Sequence, residues 1–175
     1  MTNYHRSRAL GATWFFTVTL ANRRSTLLVD EIDHLRAAYR EAQTRRPFCT
    51  VAICVLPDHL HAVWTLPEGD NDFAGRWSLI KSRFSSQMPS ASVRPSLVRR
   101  REKGIWQRRY WEHQIRDELD LQRHVDYLHF NPVKHGLAGR VADWRYSSFH
   151  HFVRDGRLPC DWAGSAACDG PFGEA

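Results

Sequence analysis

Two β-forming runs meet at Pro57-Asp58, and that junction constrains the fold more than any other stretch of the chain. Residues 48–56 and 59–66 are rich in β-branched and aromatic side chains. A Pro-Asp pair between them is turn chemistry. The two runs predict a hairpin, and a hairpin commits the chain to antiparallel pairing. Residues 13–20, TWFFTVTL, predict another strand, broken by Asn22-Arg23-Arg24-Ser25. Residues 31–45 carry Ile32, Leu35, Ala38, Tyr39 and Ala42 at helical spacing, with Asp30 as the expected N-cap and Pro47 just beyond the end. A second helix is predicted over 73–87, with Trp77, Ile80 and Phe84 on one face and Arg76, Lys81 and Arg83 elsewhere. After a Ser/Pro/Arg-rich loop over 88–103, a short strand is expected over 110–115. A helix over 118–131 follows, which Pro132 is expected to stop.

The order strand, helix, strand, strand, helix, strand, helix is a ferredoxin-like βαββαβ unit with one helix added. The expected class is α+β: an antiparallel sheet with helices on one face, plus an extra C-terminal helix. A chain of 175 residues suits one such domain, 1–155, followed by an irregular Gly/Pro/Ala-rich tail, 156–175. Residues 1–8 are polar and basic with no apolar core after them, so no signal peptide is expected. No apolar run approaches the length of a membrane span. Cys49, Cys54, Cys160 and Cys168 form no CxxC pair, which favours reduced thiols and a cytoplasmic location.

His59 and His61 are two apart on a predicted strand and so point to the same face. Two imidazoles side by side can share one divalent cation, or they can be hydrogen-bonded strand histidines. Tyr127 and Asn131 are neighbours on one helix face, and His124 lies one turn earlier on nearly the same stripe. Leu121, Val125 and Leu128 form the adjacent apolar stripe that would dock on the sheet. Tyr127 and Asn131 would then meet the histidines, with the amide oxygen as a natural third ligand for a hard cation. The plainer alternative makes Tyr127 a core-edge residue and Asn131 a helix terminus before Pro132. His124 would orient a water or phosphate, or cap the surface. A tyrosine beside a divalent cation can attack phosphorus, leaving a covalent phosphotyrosine on one DNA end and a hydroxyl on the other.

The formal net charge of +6 favours an anionic partner. Arg94, Arg99, Arg100, Arg101, Lys103, Arg108 and Arg109 surround Trp106 and Tyr110, the mixture of cations and stackable rings that a single-stranded or hairpin DNA surface needs. Arg6 and Arg8, with Arg23 and Arg24, would add a second patch. Lys134 and His135 sit where they could touch phosphate near Tyr127.

These residues carry a resemblance. The chain resembles the REP-associated tyrosine transposases, a bacterial branch of the single-tyrosine HUH nucleases, over almost its whole length. The likeness includes Gly11 to Val18, Leu56-Pro57-Asp58-His59-Leu60-His61, Trp64 to Asp70, Trp106 to His113, His124 to Gly136, Asp143-Trp144 and Asp161-Trp162-Ala163-Gly164. It implies that His59 and His61 are metal ligands and that Asn131 stands in for a third ligand that is glutamine in related insertion-sequence enzymes. It also implies Tyr127 as nucleophile, magnesium or manganese as cofactor, single-stranded REP hairpins as substrate, and action as a monomer at the nucleoid. Two other classes remain open from the residues. A non-catalytic hairpin-binding regulator would bind without metal and form no adduct. A hydrolytic metal nuclease would survive Tyr127→Phe.

Overall fold

The structure is a computed structural model that describes residues 10–89 and 103–164. Strands β1 (Thr13–Thr19), β2 (Cys49–Val55), β3 (His59–Thr65) and β4 (Trp111–Gln114) form one antiparallel sheet in the order β2-β3-β1-β4. A single turn, α1 (Leu27–Asp30), and α2 (Ile32–Arg45) link β1 to β2, and α3 (Phe73–Gln87) links β3 to β4. Helix α4 (Glu118–Lys134) follows β4, and α5 (Phe149–Arg154) comes after a 3-10 turn at Val141–Asp143. This is the expected α+β, ferredoxin-like architecture with its added helix.

Period-2 alternation sends a different set of side chains to each sheet face. Trp14, Phe16 and Val18 of β1 and Leu60, Ala62 and Trp64 of β3 pack under α2 and α3, against Leu35, Ala38, Trp77, Ile80 and Phe84. Trp64 stacks on Trp77 with ring centroids 4.1 Å apart, and its Nε1 donates to Tyr39 Oη at 2.6 Å. Phe15, Ala52, Cys54 and Val63 point the other way and meet Val125 and Leu128 of α4 and Phe152 of α5. The βαββαβ helices thus share one face, and the added helix takes the other, docked by the predicted apolar stripe. Among the described residues no helix is long and apolar enough to cross a membrane.

Pro132 does not stop α4. The ring forgoes one helical hydrogen bond, but it is buried and the helix runs on to Lys134. Gly136 then closes it: at φ +68° it takes the left-handed conformation, with Leu137 N–H donating to Pro132 O and Gly136 N–H to Val133 O, each at 2.9 Å. That pairing is a Schellman motif. The extra turn is what carries Lys134 and His135 over the sheet. Asp30 is not the N-cap of α2 either. It ends α1, where Thr26 Oγ1 donates to its carboxylate at 2.6 Å, and Glu31 occupies the cap position without a side-chain bond.

Arg76 is not a solvated residue on α3. It is buried, donating to Asp70 Oδ2 and Pro47 O at 2.6 Å each and to Arg46 O at 3.1 Å. Its partners come from the chain on either side of the hairpin, which its own helical stripe does not disclose. Residues 146–148 add a short edge to β2, with Val55 N–H donating to Tyr146 O and Ser148 N–H to Ile53 O at 2.8 Å each. The described part of the tail stays on the fold: Leu158 packs against the α4-side core, and the Trp162 ring lies 6.1 Å from that of Phe149.

Candidate active site

The site forms where β3 faces α4. Leu60, Ala62 and Trp64 are committed to the opposite core, so parity leaves His59 and His61 on the α4 side. Their rings meet nearly edge-on, with centroids 4.9 Å apart, a separation that suits one nitrogen of each pointing at a common ion. Both are buried, at 2% and 0% exposure. Thr17 of β1 pairs with His61 in the sheet register, and its Oγ1 lies 3.0 Å from His61 Nδ1. Asp58 Oδ1 lies 2.8 Å from His59 Nδ1. A partner on Nδ1 of each ring fixes the ring plane and leaves Nε2 as the nitrogen that would face a cation, the kind of support found behind metal-binding imidazoles.

Asp58 is itself braced by Arg23 Nε at 3.0 Å. Burial pushes its carboxyl up, and the His59 hydrogen bond with the His59 and Arg23 charges outweighs this, holding it below the usual carboxylate range. Arg23, expected on a DNA patch, is thus a partner of the residue that supports His59.

Helix α4 brings the other half. Asp117 caps it, accepting from Asp120 N–H at 2.8 Å. The stripe His124, Tyr127, Asn131 then runs along its buried side. The Tyr127 ring lies 5.3 Å from that of His61 and 6.2 Å from Phe15. Lys134 Nζ donates to Tyr127 Oη at 3.3 Å and stands 4.7 Å from the ring centroid. The His135 ring is 5.4 Å from His59. Asn131 and Tyr127 are fully buried, whereas Lys134 and His135 are exposed, so the last turn of α4 forms the outer wall. The donor set of two buried imidazoles and a buried amide, each imidazole held from behind, fits a divalent cation.

His124 belongs to a neighbouring cluster that the sequence does not announce. A ring nitrogen of His113, a carboxylate oxygen of Asp120 and a ring nitrogen of His124 lie within 4.8 Å of one another. The carboxylate is already engaged: Asp120 Oδ2 accepts from His113 Nε2 at 2.9 Å, Arg116 N–H at 3.1 Å and Arg116 Nε at 3.2 Å. The two imidazoles lie parallel, 13° apart, with centroids 4.5 Å apart, so their lone pairs do not converge as ligands require. We read the cluster as a clip between β4 and α4. Burial first, opposed by the bond to Asp120, lowers His124 from its ordinary value. The Phe15 ring lies 4.8 Å from His124 and 5.5 Å from His61, separating the clip from the β3 histidines. His129, two residues after Tyr127, is a core residue bonded to Ser148 Oγ at 3.0 Å, and burial pushes it down to about 3.

The expected DNA-contact residues divide. Lys103, Trp106, Arg108 and Arg109 lie on the segment beside β1, where Gln107 N–H donates to Thr19 O at 2.9 Å. Arg108 and Arg109 are exposed. Arg6, Arg8, Arg94, Arg99, Arg100 and Arg101 lie outside the described residues. Thr17, Asp58 and Arg23 were not foreseen as supporting groups; of these only Asp58, adjacent to the histidine pair, carries a signal in the sequence.

No protein-family model matches the chain. Individual proteins do. The REP-associated tyrosine transposase of Escherichia coli K12 is 47% identical over 164 residues, covering 94% of this chain and 92% of that protein. A Haemophilus influenzae protein provisionally given the same name is 46% identical over 167 residues, covering 94% of this chain and 95% of its own length. A solved structure of a REP-associated tyrosine transposase bound to a REP hairpin superposes with a TM-score of 0.86 at 46% identity, covering 100% of this chain and 98% of that one.

Proposed function

The chain belongs to the REP-associated tyrosine transposases, and from that premise we propose that it cuts and rejoins single-stranded REP-type DNA hairpins through a covalent bond to Tyr127. Membership makes it a DNA-processing enzyme. The observation that carries the residue assignment is Tyr127 packed 5.3 Å from His61 with the Lys134 ammonium on its hydroxyl. A tyrosine that served only the core would have no use for a buried histidine pair and a cation at its polar end.

His59, His61 and Asn131 would hold magnesium or manganese. The ion would neutralise charge on the scissile phosphate. The chain's own residues do the rest. Lys134 orients the Tyr127 hydroxyl and stabilises negative charge building on its oxygen. Tyr127 Oη bonds to phosphorus as the P–O3′ bond breaks, and the phenolic proton ends on the departing 3′ oxygen. The products are a 5′-phosphotyrosine and a 3′-hydroxyl. Bond count is conserved, so the same or another 3′-hydroxyl can reverse the step, which suits strand transfer.

Lys103, Trp106, Arg108, Arg109 and His135 supply cations and ring surface for the DNA. The protein would act as a monomer on chromosomal repeats in the cytoplasm, Tyr127 serving the histidines of its own chain.

The test is a denaturing gel of protein with a labelled hairpin, with and without manganese, wild type beside Tyr127→Phe. A metal-dependent shifted band in wild type alone is expected. Cut DNA from both proteins would replace the tyrosine with water as nucleophile. Binding without cutting would leave a regulator.

A further inference from the structure

The two histidines of β3 are held by unequal means, and the weaker support is reinforced from outside the site. His61 lies inside the strand, and its partner Thr17 is fixed by sheet register, with Oγ1 3.0 Å from His61 Nδ1. His59 is the first residue of β3, and its partner Asp58 belongs to the turn before it. A short side chain on a turn has rotamers that would carry its carboxylate away from the imidazole and into solvent. Keeping Asp58 Oδ1 at 2.8 Å from His59 Nδ1 therefore needs a further constraint.

Residues 20–28 supply it. Leu20 N–H donates to Asp58 O at 2.8 Å and Leu28 N–H to Pro57 O at 3.1 Å, so the backbone of the hairpin turn is pinned at two points. Between those bonds the chain bends tightly. Ser25 N–H donates to Asn22 O at 3.1 Å, and Arg24 N–H donates to Asn22 Oδ1 at 3.0 Å, the Asx turn that asparagine favours. The bend brings Arg23 back to the hairpin turn, where its Nε lies 3.0 Å from Asp58 Oδ2. The two carboxylate oxygens are divided between a guanidinium and an imidazole, which sets the plane of the carboxylate from both sides.

Stability does not explain this pair. The Arg23 side chain is 37% exposed, and an ion pair so open to water contributes little to folding. Charge does not explain it either. A guanidinium close to a metal centre repels a divalent cation, so on charge alone its removal would tighten metal binding. What remains is the geometry that it enforces.

We propose that Arg23 is a positioning residue of the metal centre, orienting Asp58 so that His59 presents Nε2 to the cation. The inference rests on the reading of His59, His61 and Asn131 as ligands and adds a residue outside that set. It also takes Arg23 out of the DNA-contact patch.

Manganese binding to DNA-free protein, read as loss of the EPR signal of the hydrated ion, tests the proposal without catalysis. His61→Ala locates the ion. Binding indifferent to that change would place the ion elsewhere and sink the ligand assignment, and the role of Arg23 with it. With the ion at the histidines, Arg23→Gln should weaken binding about tenfold, the lower end of what groups behind metal ligands cost. Arg24→Gln, which removes the same charge from the same exposed bend, should not weaken it. Asp58→Asn should weaken binding as well, and in that background Arg23→Gln should add nothing, because its effect passes through the carboxylate. Hairpin binding in EDTA should be the same for wild type and Arg23→Gln, which also reports that the variant is folded. Manganese affinity unchanged or raised by Arg23→Gln, an equal loss from Arg24→Gln, losses that add in the double variant, or a loss confined to hairpin binding would each overturn the proposal.

Discussion

The two faces of the sheet are built from the same strands and do opposite work. On the α2/α3 face, Trp14, Phe16, Trp64 and Trp77 make a dry aromatic core. On the α4 face, the alternate residues of β1 and β3 present Thr17, His59 and His61 beneath Tyr127 and Asn131. Each polar group there needs a partner to be buried at all. Thr17 on His61 and Asp58 on His59 provide it while aiming the rings. One face supplies stability and the other tolerates expensive chemistry because stability comes from elsewhere. A strand with a period of two lets both be written into seven residues.

The largest effect that tests this division is on the dry face. Trp64→Ala should cost about 3–5 kcal/mol of unfolding free energy in a denaturant titration. On the chemical face, the double substitution Thr17→Val/His61→Leu should change stability by less than about 1 kcal/mol, since both members of a buried polar pair give way to apolar groups, while metal-dependent adduct formation is lost. Comparable losses of stability from both substitutions would break the comparison. Thr17→Val keeps volume and removes the hydroxyl on His61 Nδ1. The manganese concentration needed for half-maximal adduct should rise about 10- to 100-fold, and an unchanged requirement would make Thr17 a mere core residue.

The smallest effect concerns the clip. Burial pushes the Asp120 carboxyl up, but the His113 bond and the Arg116 N–H and guanidinium outweigh it and hold it at about 2, against about 3.9 in an unfolded chain. A depressed folded value means stability that is complete above about pH 4 and lost as pH falls toward about 2. Asp120→Asn should flatten the Tm profile in that window, and a profile unchanged from wild type would show that the clip contributes nothing to stability.

What the sequence disclosed follows from range. The His59–His61 parity and the His124–Tyr127–Asn131 stripe are local periodicities, so spacing alone places them on shared faces. The hairpin follows from one turn. Partners distant in sequence were hidden. Thr17 reaches His61 across 44 positions through strand register, and Arg76 finds Pro47 O across 29. Pro132 misled because its local rule is real, yet burial of the ring and the closure at Gly136 carry the helix past it.

The central claim is that Tyr127 becomes the covalent link to DNA. Wild-type protein should be trapped on a hairpin with manganese, digested with protease and nuclease, and its peptides sequenced by mass spectrometry. The account predicts a nucleotide remnant on Tyr127. A remnant on another residue, or cleaved DNA with no modified peptide, would contradict it.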